Sequence, residues 1–176
     1  MKSFVVVIFG FERVFSPHIA TFSLDGKYVY AINEKQEICQ IDLQDTRIIM
    51  KRTINGLSNP EEVISSHIQQ LAPGIFVIGS MMKRKVENPE DEKDFKPCLS
   101  IISGDISNSK AEIKMNLYEM PLLKEAEQKK SLMFRSLFVK ERQLLFFGHN
   151  GSNEIRVLHF GHGKDSMVFE PLLSIN

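Results

Sequence analysis

The side chains that could do chemistry in this sequence are few and scattered. The five histidines include the spacing His149…His159-x-x-His162, and imidazole is a common zinc ligand. Structural zinc sites need four ligands at short, fixed spacings, and no cysteine or carboxylate pattern joins these three residues. We therefore interpret them, together with His18 and His67, as loop and strand histidines that are exposed or satisfied by hydrogen bonds. We predict no metal site.

Three aspartates occur where the chain is expected to turn: Asp25, Asp42 and Asp105. An aspartate in a turn usually accepts hydrogen bonds from nearby backbone amides. Two of them could instead form a catalytic carboxylate pair, but nothing else in the sequence supports that hypothesis. The sequence has no G-x-S-x-G, P-loop, G-x-G-x-x-G or C-x-x-C motif. We predict no catalytic residue, no cofactor-binding residue and no enzyme activity.

Cysteine content and charge exclude further classes. Two cysteines, Cys39 and Cys98, are too few for a disulfide framework, and we interpret them as buried strand thiols in a reducing, intracellular compartment. Lysine plus arginine number 22, as do aspartate plus glutamate, so the net charge is zero and we expect no direct nucleic-acid binding. The basic cluster at residues 83–85 is cancelled by the acidic residues within 87–92, which favours a solvated loop over a phosphate site.

Residues 4–11 are apolar and follow Met1-Lys2, as in a short signal peptide. The run is at the low end for such a peptide, and no small-residue cleavage site follows it. We interpret residues 4–9 as a β-strand. This run is far too short to cross a bilayer as a helix, so we predict no membrane span.

The elements that would position these residues are clearest in residues 19–54. The pattern predicts four consecutive strands at residues 19–24, 28–32, 37–43 and 47–54. Asp25-Gly26 indicates a tight hairpin, because such a turn needs φ > 0 and glycine supplies it freely. A four-stranded antiparallel meander is one blade of a β-propeller.

Alternation within these strands assigns side chains to faces. In the first strand, Ala20, Phe22 and Leu24 share one face. In the third strand, Cys39 points to one side and Gln40 to the polar side. Residues 28–32 are apolar on both faces, as in a strand at the middle of a covered sheet.

Two looser copies of this pattern follow, interrupted by two inserted stretches. The first insertion, residues 83–97, is charged and carries two prolines, which indicates a solvated loop. The second, residues 121–130, is rich in good helix formers, and residues 122–133 could form an amphipathic docking helix or a plain connector. Edge strands are predicted at residues 112–118 and 166–173, and a turn at residues 161–165.

The segment FSLDGKYVYAINEKQEICQIDL, residues 22–43, resembles a propeller blade of the WD40-like kind. The matching residues are FSLDGK at the first hairpin (22–27) and Ile41-Asp42 at the end of the third strand. The resemblance covers about one blade and implies a propeller fold. It departs from true WD40 repeats because the chain has no tryptophan, and hence no Trp-Asp dipeptide, and no Gly-His pair precedes the first strand.

The chain also resembles the N-terminal propellers of nucleoporins on the cytoplasmic side of the nuclear pore. Those propellers have long charged insertions like residues 83–97 and segments similar in style to residues 131–160, an apolar hairpin that ends SLFVKERQLLFFGHNGSNEIRVLHF. In that family the propeller is a docking platform for an RNA helicase of mRNA export. The resemblance implies such a partner and a location in the cytoplasm or at the nuclear envelope. It transfers no binding residue, because no motif matches residue by residue.

Together these patterns predict an all-β chain in which residues 1–176 form one propeller-like unit. We expect about three four-stranded antiparallel blades, at roughly residues 19–54, 63–118 and 131–173, with the strand at 4–9 in a neighbouring or closing blade. Closed propellers have about four to eight blades, so three form a partial propeller or part of a larger one. A different all-β arrangement, such as a sandwich, is the structural alternative.

The functional expectation is a non-catalytic interaction scaffold whose partners are other protein subunits, one of which could complete the propeller. The alternative is an enzyme or ligand-binding propeller with a site in its central channel. Carboxylates or histidines converging on the innermost strands would favour the enzyme. Apolar or scattered residues there would favour the scaffold.

Overall fold

The structure is a computed structural model that describes residues 19–55, 57, 62–83, 95–120, 132–152, 154–162 and 167–175, with side chains up to residue 159. Within these ranges the chain is all-β, with no α-helix. The strands are β1 (Ala20–Phe22), β2 (Tyr28–Ile32), β3 (Glu37–Asp42), β4 (Arg47–Thr53), β5 (Val63–Ala72), β6 (Ile75–Lys83), β7 (Phe95–Ser103), β8 (Lys114–Glu119), β9 (Phe134–Val139), β10 (Leu144–His149), β11 (Ile155–His162) and β12 (Met167–Ile175).

Consecutive strands pair into three antiparallel sheets of four: β1–β4, β5–β8 and β9–β12, called blades 1, 2 and 3 below. The first strand of blade 2, β5, lies beside the first strands of both neighbours, β1 and β9. The last strand of each blade forms its other edge. Meanders that meet along their first strands have the arrangement of propeller blades, and the prediction of three four-stranded antiparallel blades is confirmed.

Glycine forms the first turn of two blades. In the predicted Asp25-Gly26 turn, Gly26 has φ = 71°, and the Ser23 amide donates to the Tyr28 carbonyl at 2.8 Å. In blade 2 the equivalent turn has Gly74 at φ = 71° directly after a proline. Both conformations lie in the left-handed region that glycine adopts without a steric penalty, and the Asp25-Gly26 hairpin forms where the sequence predicts it.

Two apolar layers hold the blades together. Between blades 1 and 2 the buried residues are Tyr30, Ile32, Ile38, Ile54, Leu57, Val63, Ile68, Phe76, Ile78, Ile102 and Ile106. Between blades 2 and 3 they are Leu71, Ile75, Val77, Met81, Leu99, Ile101, Met120, Leu132, Phe134, Leu145, Phe147 and Leu158. The strands that contribute to both layers belong to blade 2, which is therefore covered on both faces, as its long apolar strands require.

The second layer is tight at one glycine of β6. A Cβ atom on Gly79 would lie 2.5 Å from Cγ of Phe134, the fully buried first residue of β9. Real Cβ atoms do not come that close to another carbon, so the ring of blade 3 occupies the space that a side chain on blade 2 would need. Glycine here permits close approach of the two sheets.

The prediction of a loop over residues 83–97 was wrong at both of its ends, which lie in strands. β6 runs to Lys83 and pairs with Phe95 of β7, so strand continues where proline and charge indicated a loop. The carbonyl of Pro97 accepts the Met120 amide at 2.8 Å, on the side facing β8. An antiparallel residue directs its N–H and C=O to the same neighbour, so the missing N–H of this proline costs no bond to β6.

Other strand limits also differ from the prediction. β11 extends through Gly161 and His162, which pair with Val168 and Met167 of β12, so these two residues lie in a strand rather than in the predicted turn.

The burial of two predicted strand faces also needs correction. The predicted apolar face of the first strand, which includes Phe22 and Leu24, is not buried, because both side chains are more than half exposed. Gln40 is 3% exposed although the alternation placed it on the polar side.

Several predictions fall outside the described residues: the strand at 4–9, most of the insertion (84–94) and the connector at 121–130. The edge positions of β8 and β12 are confirmed. In the part of the chain that the structure covers, no helix has the length and apolar character needed to span a membrane.

Candidate functional site

The innermost strands bring a polar chain of side chains together where blade 2 meets blade 3. Nε2 of His67, on β5, lies 2.6 Å from Oγ of Ser136, on β9. That hydroxyl in turn hydrogen-bonds Oε1 of Gln69. Nearby, Oγ of Ser66 donates to the carbonyl of Leu132 at 2.8 Å. Side chains about 70 positions apart in sequence therefore join the two blades.

The direction of these hydrogen bonds follows from their atoms. A carbonyl oxygen only accepts, so the single hydroxyl proton of Ser136 goes to Gln69, and Nε2–H of His67 must donate to Ser136. Burial, together with the positive charge of Arg135, lowers the pKa of His67 to about 4. The imidazole is thus neutral at pH 7, with its proton on Nε2.

This arrangement is the reverse of a serine nucleophile with a histidine base. In such a dyad the imidazole accepts the hydroxyl proton and a third group orients the ring. Here the imidazole donates to the hydroxyl. The three innermost strands (ATF, VISSHIQQLA and FRSLFV) contain no carboxylate, and one histidine. The hydrogen bond between His67 and Ser136 therefore links blade 2 to blade 3.

A cleft of about 320 Å³ lies between blades 1 and 2, at the end of the sheets where the first turns lie. Two of the predicted turn aspartates, Asp25 and Asp105, line it together. The aromatic rings of Tyr28, Tyr30 and Phe76 form part of its wall. The volume is at the lower end of the roughly 300–1,000 Å³ range of ligand sites.

Both cleft aspartates are held by their own turns, as predicted. Oδ1 of Asp25 accepts the Ser23 hydroxyl at 2.6 Å and the Lys27 amide at 3.1 Å. Oδ1 of Asp105 accepts the Ser107 amide at 3.0 Å and its hydroxyl at 2.5 Å. These hydrogen bonds hold the pKa of each carboxyl below its usual value, so both are anions at neutral pH. Neither is suited to donate a proton as a general acid.

The third turn aspartate behaves in the same way outside the cleft. Oδ1 of Asp42 accepts the amides of Gln44 at 2.7 Å and Asp45 at 3.1 Å. The interpretation of these aspartates as turn residues is therefore confirmed at all three positions.

The cleft also contains a polar group that the sequence did not single out. Gln40, at the middle of β3, lines the cleft with only 3% of its surface exposed. Among the described residues, none donates a hydrogen bond to its Oε1. The pKa of the Tyr30 hydroxyl is raised by burial and then by the charges of Asp25 and Asp105, which places both carboxylates close to the same ring.

The outer face of blade 3, which points away from blade 2, is apolar and partly open. Leu137, Phe146 and Val157 form one row across β9, β10 and β11, in which Leu137 is 61% exposed, Phe146 is half-buried and Val157 is buried. Ile155, opposite Gly148 on β11, is 47% exposed. A groove of about 740 Å³ runs along this face.

The three histidines considered as possible zinc ligands, His149, His159 and His162, lie on or at the ends of β10 and β11. No group of three histidine, cysteine, aspartate or glutamate side chains with metal-binding geometry occurs among the described residues. His149 is buried at the end of β10, where Nδ1 accepts the Gly151 amide at 3.1 Å. His159 is exposed on β11 and His162 ends that strand, while His18 lies outside the described residues.

Both cysteines are free and buried, as predicted for strand thiols. Burial raises the pKa of Cys39 and of Cys98 to about 11. A thiol with so high a pKa carries little thiolate at neutral pH and is a poor nucleophile. Neither residue is a candidate for redox or covalent chemistry.

Sequence reasoning therefore found the cleft aspartates but not the residues that complete the cleft. The alternation of β3 places Gln40 on the polar side, so the sequence gives no signal that this amide is buried opposite Tyr30. The contact of His67 with Ser136 has no local signal, because it joins two blades. No protein-family model matches the sequence, and a search of curated proteins finds no match.

Proposed function

We propose that this chain is a non-catalytic protein-interaction module, in which the outer face of blade 3 receives a further β-sheet from another protein subunit. The observation that carries the proposal is the exposure of two large apolar side chains on that face, Leu137 at 61% and Ile155 at 47%, both lining a groove of about 740 Å³. Exposed apolar patches on soluble proteins commonly mark interaction sites.

The occupant is inferred from the two blade contacts within the molecule. Each existing contact pairs one apolar sheet face with another and adds hydrogen bonds near the innermost strands. The outer face of blade 3 repeats this design, since apolar side chains cover its middle strands and Arg135 stands on its innermost strand. Three blades are also fewer than the four to eight of closed propellers.

Absence of catalysis is part of the proposal. The innermost strands of the described blades carry scattered polar residues. In the contact between His67 and Ser136 the imidazole N–H donates to the hydroxyl, whereas a histidine that activates a serine must accept the hydroxyl proton. By the criterion of converging carboxylates or histidines, these strands favour a scaffold over an enzyme with a channel site.

A more specific form of the proposal assigns the chain to the nuclear pore, with an RNA helicase of mRNA export as partner. Its support is the sequence resemblance of the charged insertion and of residues 131–160 to nucleoporin propellers. The second of these segments forms β9 to β11, which carry the open face. A helicase binding to this face would require a location at the nuclear envelope or in the cytoplasm.

The test is the mass of the isolated chain in solution. In a solution of the isolated chain, the exposed apolar face can pack only against another copy of the chain. We therefore expect a particle larger than the monomer. The variant Leu137→Glu should reduce the mass to that of the monomer, because it places a charge in the middle of the face.

Leu117→Glu is the matched control, because Leu117 is a 44% exposed leucine on the outer edge strand of blade 2. It should leave the mass unchanged. A monomer that unfolds cooperatively, and whose mass neither substitution alters at the highest soluble concentration, would contradict the proposal.

A further inference from the structure

The cleft between blades 1 and 2 is lined by hydrogen-bond acceptors and aromatic rings. Asp25 and Asp105 approach it from the first turn of blade 1 and from the loop after β7. None of the side chains that line it is cationic. The cleft therefore has two exposed carboxylates at its rim and aromatic rings in its wall.

Two cations lie near the carboxylates without lining the cleft, Lys27 near Asp25 and Arg52 near Asp105, and each helps to lower the pKa of that carboxyl. The guanidinium of Arg52 donates to the carbonyls of Asn108 and Ala111, at 2.7 Å to the latter, in the loop that carries Asp105. Lys27 is next to the first turn but does not line the cleft. The molecule itself thus places no cation between the two carboxylates.

An independent observation points to a ligand with donors. Gln40 lines the cleft and has only 3% of its surface exposed. No described residue donates a hydrogen bond to its Oε1 atom. A buried acceptor without a donor is costly in a folded protein, and such groups usually have an explanation. A donor supplied from outside would satisfy it.

We propose that this cleft binds an organic cation, a guanidinium or ammonium group, between the carboxylates of Asp25 and Asp105 with an N–H directed to Oε1 of Gln40. The rings of Tyr28 and Tyr30 supply π faces that attract a cation. A metal ion fits less well, because the described residues hold no three-residue cluster of metal-ligating side chains. The site is separate from the open face of blade 3.

The test uses tyrosine fluorescence, because the chain has no tryptophan and three tyrosines. Tyr28 and Tyr30 line the cleft, and Tyr118→Phe removes the third. We expect n-propylguanidinium to change the emission saturably, and neutral n-propylurea, which has nearly the same shape, to leave it unchanged. The amide NMR shifts of Leu24 and Gly74 in the unaltered chain provide a second measurement if the variant folds poorly.

Three substitutions assign the binding to the named groups. Gln40→Met should weaken propylguanidinium binding about tenfold, because a hydrogen bond to a charged group is lost. Asp105→Asn should weaken it about two- to fivefold, since the turn bonds to Oδ1 remain and the charge is removed. Asp45→Asn is the control, because Asp45 forms an ion pair with Arg47 at an exposed turn of blade 1. It should leave the binding of propylguanidinium unchanged.

The source of the cation is distinguished with a peptide. A capped Gly-Arg-Gly peptide that binds at least about tenfold more tightly than propylguanidinium would identify an arginine of a protein partner, and equal affinity would identify a small amine. Either result supports the proposal. Equal binding of propylurea, equal losses in Asp45→Asn and Asp105→Asn, or no saturable signal in both measurements would overturn it.

Discussion

The two contacts between blades differ in how completely they are filled. Between blades 2 and 3, Phe134 and Phe147 lie with ring centroids 5.6 Å apart, and His67 and Ser136 satisfy each other at the innermost strands. Between blades 1 and 2, the aromatic pair Tyr30 and Phe76 is also close, at 4.7 Å, but a cleft of about 320 Å³ remains open beside it.

Polar groups are used differently at the two contacts. Between blades 1 and 2, Oε1 of Gln36 accepts the Ser65 amide at 3.1 Å and Oε1 of Gln70 accepts the Leu24 amide at 2.9 Å. The third glutamine, Gln40, has no such donor. The contact between blades 2 and 3 is therefore specialised for stability, whereas the contact between blades 1 and 2 gives up some packing for an accessible cavity.

The largest effect is expected where the filled contact loses its central ring. Phe134→Ala should lower the free energy of unfolding by about 3–5 kcal/mol, because the fully buried ring packs directly over Gly79 and its removal leaves a cavity. Urea denaturation measures the change.

Phe22→Ala is the control for that substitution, because Phe22 is 58% exposed on β1. It should cost well under about 1 kcal/mol. Similar losses for the two phenylalanines would show that Phe134 is not tightly packed between blades 2 and 3.

An intermediate effect is expected from acid at the same contact. The pKa of His67 is lowered to about 4 by burial and by Arg135, whereas the unfolded chain has the ordinary value near 6.5. The unfolded state therefore binds more protons between these values, so stability is fully present above about pH 6.5 and is lost as the pH falls toward 4. The loss is at most roughly 3 kcal/mol.

Urea denaturation of the wild type and of His67→Asn across this pH range checks the prediction. The difference in unfolding free energy between the two should shrink as the pH falls, because the variant lacks the titrating group. If the difference in unfolding free energy stays constant from pH 7 to pH 4, a neutral, buried imidazole does not link blades 2 and 3.

The comparison also shows what the sequence could determine. Strand positions, the Asp25-Gly26 turn and the three-blade organisation follow from local alternation and from glycine, so they were predictable. Local patterns report only whether a side chain prefers burial. They do not report which sheet will cover it, so the exposure of Phe22 and Leu137 was not predictable.

The candidate sites were less accessible to prediction for the same reason. Asp25 and Asp105 carry turn signals, but their shared cleft depends on how two blades pack, and 80 positions separate them in the chain. The proline and charges before β7 indicated a loop, yet pairing of Phe95 with Lys83 extends the hairpin. Contacts between distant segments override local preference at these positions.

The smallest effects are the most specific, because one substitution should have opposite signs at two glutamines of the same contact. Gln70→Met leaves the Leu24 amide without its acceptor and should destabilise the chain by about 1 kcal/mol. Gln40→Met removes a buried acceptor that has no donor among the described residues and should stabilise the chain by about 1 kcal/mol. Thermal and urea denaturation of both variants measure the signs. Destabilisation by both would mean that Oε1 of Gln40 is already satisfied in the free protein, and the contact between blades 1 and 2 would then be as complete as its counterpart.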